Sequence, residues 1–148
     1  MVYFLWIILG LIAVWPFLWL AGKFDVKKMH TFLGLSLVVT AICYVGFALI
    51  WGDTTWLLVE SSGVAIYGLF YLLSTRFSMV WLSVGWLLHP VWDAFLHLQG
   101  PGSHIAPAWW SVACISFDAA VAGYIVYRIA RESRLACSIN PPLRESFF

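Results

Sequence analysis

Charge is the first thing this sequence has little of. Only 10% of its 148 residues are Asp, Glu, Lys or Arg and 63% are hydrophobic, whereas soluble domains carry roughly 25% charged residues. With a mean hydropathy of +0.91, that composition excludes a soluble globule. The net charge of +1 and the few exposed basic residues give no sign of nucleic-acid binding, so no nucleic-acid partner is expected. Cysteine is scarce as well. Cys43, Cys114 and Cys137 include no pair with zinc-ribbon spacing, and two of them fall inside apolar runs, so no disulfide framework is expected. The first apolar run lacks a basic n-region and a small-x-small site and is too long for a cleavable signal. No internal repeat is evident.

What the chain has instead is apolar length. Five runs of about 20 residues, each enough to span a hydrocarbon core, cover approximately 3–22, 31–51, 55–74, 78–98 and 108–130. The expected fold class is therefore all-α, a polytopic membrane protein with a five-transmembrane-helix bundle over 1–130. A cytoplasmic tail over 131–148 should follow, irregular from Ser138 onward with Pro141-Pro142. Pro16 should bend the first helix. Lys23, Lys27, Lys28, Arg76, Arg128, Arg131, Arg134 and Arg144 all fall on one side of this bundle, while 52–54 and 99–107 hold no Lys or Arg. Basic residues stay on the cytoplasmic side, which predicts the N-terminus outside and the C-terminus inside. Trp51, Trp56, Trp109 and Trp110 fall at the outer boundary and Trp19 and Trp81 near the inner one, where aromatic rings anchor in the headgroups.

Against this background the ionisable residues stand out. His89, Asp93 and His97 recur at i, i+4 and i+8 on the fourth run, where each charge costs roughly 2.5–3.5 kcal/mol even on the gentler insertion scale. At about 1.5 Å of rise per residue, Glu60 and Asp93 should share a level about 8 Å below the outer boundary. His89 and Asp118 should lie deeper, about 13 and 16 Å down, and His97 and the loop residue His104 should mark the rim. Glu60, Gly63, Tyr67, Tyr71 and Ser74 form one stripe on the third run; Ser111, Cys114, Asp118 and Ala122 form another on the fifth. Ser36, Thr40 and Cys43 or Tyr44 could complete the lining from the second. Ala119 and Gly123 offer a small-xxx-small pair for close helix packing.

Two chemistries fit these residues. In the first they hold a divalent metal, zinc or iron. His89 and His97 are about 12 Å apart along the helix, so one ion would be held either by Asp93, His97, His104 and Glu60 or by His89, Asp93 and Asp118. In the second, Asp93, Glu60, His89 and Asp118 are metal-free acid–base groups acting on an apolar or membrane-derived substrate that enters from the lipid, with Trp86 and Trp92 beside it. A proton pathway is disfavoured, because the inner half has no titratable relay. Haem is disfavoured too, because only His89 lies at mid-depth and His30 should be solvated beside Lys27 and Lys28. The non-catalytic alternative is an accessory subunit of a larger membrane complex or a homo-oligomer, with the polar groups serving as helix–helix contacts.

The pattern His89-Pro90-x-Trp92-Asp93-x-x-x-His97, followed by Pro101-Gly102-x-His104 and Phe117-Asp118, resembles a family of small uncharacterised bacterial integral membrane proteins. That resemblance implies a multi-pass protein of the bacterial inner membrane and supplies no settled activity. A looser similarity, resting on His89 and Asp93, is to the emopamil-binding, sterol-isomerase-like membrane proteins, which are also five-helix bundles. It implies isomerase-type acid–base chemistry.

Overall fold

The structure, a computed structural model, describes residues 2–139. It is helical throughout: α1 Val2–Gly22, α2 Val26–Trp51, α3 Thr54–Arg76, α4 Val80–Trp92 running on as a π-helical segment Asp93–Leu98, and α5 Ala108–Ile139. Four of the five helices (α1, α2, α3 and α5) are long and apolar enough to cross a membrane. Residues 140–148, with Arg144 and the prolines of the expected irregular tail, lie outside the described residues. Ser138 itself is helical, because α5 continues past 130 as far as Ile139.

Short polar punctuation sets the helix boundaries. Asp25 accepts the Lys28 amide at 2.9 Å and meets the Lys28 ammonium at 3.2 Å, which starts α2 after a connection of three residues from α1. The Lys28 amide and ammonium hold the Asp25 carboxyl below its ordinary value of 3.8. The depressed group stays ionised at neutral pH, and its contribution is lost only as pH falls through and below that value. Asp53 does the same for α3 by accepting the Trp56 amide at 3.0 Å. The large apolar side chains of α1 are mostly exposed, Trp15 at 72%, while the buried residues include Glu60, His89, Asp93, His97 and Asp118. Polar groups inside and apolar groups outside suit a lipid solvent.

Helix α1 lies along α5, α2 along α3, and α4 packs against both α5 and α3. The α1–α5 contact depends on Gly10. A Cβ there would collide with the Ala113 carbonyl and the Ser116 hydroxyl, and Ser116 Oγ donates to the Ile7 carbonyl at 2.9 Å. Gly10→Val should therefore cost about 1–3 kcal/mol through overpacking, read as a lower unfolding midpoint; an unchanged midpoint would show that α1 is not clamped there. The expected small pair Ala119–Gly123 does not serve this purpose. Both residues are exposed, and nothing lies within 4 Å of a Cβ built on Gly123.

The fourth run is not one regular helix. Pro90 has no N–H to give, the Asp93 amide donates to both the His89 and Pro90 carbonyls, and the helix then widens into π geometry, closing with the Gln99 amide on the Ala94 carbonyl five residues back at 3.3 Å. A π turn holds more residues than an α turn. Side chains after Asp93 are thereby rotated out of the phase that a continuous α-helix would give them.

Candidate functional site

Three side chains from two helices meet at the core of the bundle. Asp93 begins the π segment one turn after His89, and Asp118 faces both from α5. His89 Nδ1 lies 2.8 Å from Asp118 Oδ2 and 3.7 Å from Asp93 Oδ2. The three residues each present one ligand-type atom, all within 4.8 Å of one another, and all three are buried. Among the described residues, neither Asp93 oxygen has a hydrogen-bond partner, nor does Asp118 Oδ1. Buried polar atoms of native proteins are nearly always paired, so three unpaired carboxylate oxygens in one cluster mark it as chemically unusual.

A second pair lies toward the 99–107 loop. His97 Nε2 is 3.3 Å from Glu60 Oε1, although the two atoms are not aligned for a hydrogen bond. Its Nδ1 is 3.1 Å from the Gly102 carbonyl, which fixes the proton on Nδ1, since a carbonyl only accepts. Trp92 Nε1 donates to Glu60 Oε2 at 3.4 Å. Tyr44 joins the two groups, its buried ring centroid 5.5 Å from that of His89 and 4.8 Å from that of His97. His89 also meets the Tyr67 ring, with centroids 5.1 Å apart.

The polar stripes read from α3 and α5 face inward: Glu60, Gly63, Tyr67 and Ser74 are buried, and so are Ser111, Cys114, Asp118 and Ala122. The level assigned to His89 with Asp118 matches their contact. Glu60, assigned to one level with Asp93, makes its contacts with His97 and Trp92, while Asp93 lies beside His89. Of the two candidate ligand sets, the one brought together is His89, Asp93 and Asp118. The set of Asp93, His97, His104 and Glu60 is divided, since His104 is exposed on the loop with its ring 5.8 Å from that of Trp56.

Other expectations change too. His30 is half-buried rather than fully solvated; its Nε2 is 2.8 Å from Ser74 Oγ and its ring lies near that of Tyr71. Trp86 is fully buried against Phe17 and Phe117 and serves largely as core. The central position of Tyr44 and the role of the Gly102 carbonyl were not legible as such. For Tyr44 the available signal was its place on the lining face of α2; for Gly102 there was none.

Because α1 leans on α5 and scarcely meets α2, a crevice separates α1 from α2. It comprises a cavity of 330 Å³ that includes Gly10, Ala13, Cys114 and Asp118 in its walls and a neighbour of 380 Å³ that includes Phe17, Phe32 and Ser36; the two share Thr40, Trp110 and Phe117. Leu9, Leu35 and Val39 on its walls are exposed on the apolar outside of the bundle. Phe17 and Phe32, with ring centroids 4.9 Å apart, bridge α1 and α2 in the half nearer the lysines.

Comparison of the chain with protein-family models, with curated proteins and with solved structures gave no match.

Proposed function

We propose that this is a five-span membrane protein, N-terminus outside and C-terminus inside, in which His89, Asp93 and Asp118 hold one divalent ion, zinc or iron, and act on an apolar substrate drawn from the bilayer. The fifth span would be α4 with its π extension. The observation that carries the reading is the buried cluster of one imidazole and two carboxylates with three carboxylate oxygens unpaired. Two ionised carboxylates and a neutral imidazole sum to two negative charges, which are very costly in an apolar interior unless compensated. A divalent ion compensates them, nitrogen and oxygen ligands suit zinc and non-haem iron, and three protein ligands leave a coordination position for substrate or water. The crevice reaching Asp118 from the apolar outside supplies the route.

The 2.8 Å contact between His89 Nδ1 and Asp118 Oδ2 favours a second reading. With Nδ1–H donating to Asp118, that carboxylate fixes the tautomer and leaves Nε2 as a metal-free proton carrier. Elemental analysis separates the two, on protein purified through a tag without histidines and without chelator. The expected result is about one zinc, iron or manganese per chain, as a single tri-dentate site requires. Protein free of stoichiometric metal would overturn the first reading and favour the second. Stable co-purification with one larger complex would instead point to an accessory subunit.

A further inference from the structure

We propose that the crevice between α1 and α2 is the binding site for a single-chain lipid with a neutral hydroxyl head, a long-chain alcohol, whose head reaches Asp118. The inference rests on the function proposed above and names the substrate class of that site. The combined cavities, 330 and 380 Å³, fall in the usual range of roughly 300–1,000 Å³ for small-molecule sites. Gly10, Ala13 and Ala113 keep the α1–α5 wall close and smooth, which suits one slender chain better than the two tails of a phospholipid. The crevice opens sideways to the apolar outside, so a membrane-dissolved molecule needs no aqueous route.

Asp118 decides the head group. It is fully buried, lines the cavity, and its Oδ1 lacks a donor while Oδ2 is the oxygen turned to His89, 2.8 Å from Nδ1. An ester or ketone brings no donor to Oδ1. A carboxylate or phosphate brings none either, and neither Lys nor Arg occurs between Lys28 and Arg76 or between Arg76 and Arg128 to balance its charge. An ammonium donates, but once a divalent ion has neutralised the trio its charge is left uncompensated in an apolar crevice. A hydroxyl donates and carries no charge. Trp110 Nε1, another unpaired polar atom on the wall, belongs to a residue about 12 Å farther along α5 toward its N-terminus, so it does not compete for the head.

The test is photolabelling of the protein in phosphatidylcholine vesicles with a diazirine-tagged hexadecanol. The expected label falls on the facing segments around residues 9–13 and 113–117, is competed by hexadecanol, and is not competed by hexadecanoic acid or hexadecylamine. Ala13→Phe and, from the opposite wall, Thr40→Phe should each reduce it about tenfold by displacing a few methylenes' worth of contact, with melting curves showing that the variants are folded. Asp93→Asn should lose the metal and keep the label, so loss of the metal reading and loss of this one are told apart. Label spread evenly over all lipid-facing helices, equal competition by the acid, or equal competition by the amine in protein that carries its metal would overturn the proposal.

Discussion

Asp93→Asn will yield a protein that folds at least as well as the wild type and no longer retains its metal. Asparagine keeps the shape of the side chain and removes a charge that is completely buried and makes no well-aligned hydrogen bond among the described residues, with His89 Nδ1 3.7 Å away. An uncompensated buried carboxylate is a liability, so its neutral isostere should be tolerated or stabilising in metal-free protein. The same change removes one of two anionic ligands. Mutations of groups that merely support metal ligands cost roughly 10–100-fold in affinity, so loss of a ligand should cost on the order of 100-fold or more. The pair of readings is diagnostic: metal per chain by elemental analysis, and the unfolding midpoint after chelation. Stability bought at the expense of function is the signature of a site. A variant that is destabilised yet keeps its metal would make Asp93 a fastener between α4 and α5, and the proposed centre would have to be abandoned.

The sequence revealed the helices and much of the site for one reason: in a chain this apolar, each inward polar side chain is conspicuous. The stripes on α3 and α5 were readable from 3-and-4 spacing because both helices are regular where the stripes lie. His89 and Asp93 were readable as neighbours, and His89 and Asp118 as level, because only α geometry separates them from their helix ends. His97 was grouped with both Asp93 and Glu60, and the structure brings it to Glu60 at 3.3 Å. Nothing in Asp93–Leu98 announces a π turn, although Pro90 just before it removes a backbone donor, and the altered phase after Asp93 was therefore not legible. The crevice was also beyond sequence reasoning. It depends on α1 choosing α5 over α2, and that choice rests on the close approach at Gly10, whereas the small residues that looked suited to packing, Ala119 and Gly123, face outward.

His97→Ala will be the most destabilising of the polar substitutions, by about 3–5 kcal/mol, because it leaves Glu60 buried with its nearest polar neighbour gone. Glu60 is 2% exposed and keeps only the long contact from Trp92 Nε1 at 3.4 Å. Glu60→Gln removes the charge rather than stranding it and should cost much less. In the Glu60→Gln, His97→Ala double variant about half of the loss should therefore be recovered, giving a coupling energy of about 1–3 kcal/mol in a double-mutant cycle of equilibrium unfolding. The loop provides an independent readout. Gly102 is pinned by its amide on the Leu96 carbonyl at 2.9 Å, by its carbonyl on His97, and by the Trp56 ring, which a Cβ would meet at 2.7 Å. Removing the imidazole should raise hydrogen exchange across 99–107 in His97→Ala, and restoring stability with Glu60→Gln should leave that exchange high. The two effects separate because one travels through Nε2 to Glu60 and the other through Nδ1 to the loop. Strictly additive energies would show that the 3.3 Å approach of His97 to Glu60 carries no coupling, and unchanged exchange would show that the loop is held without the histidine.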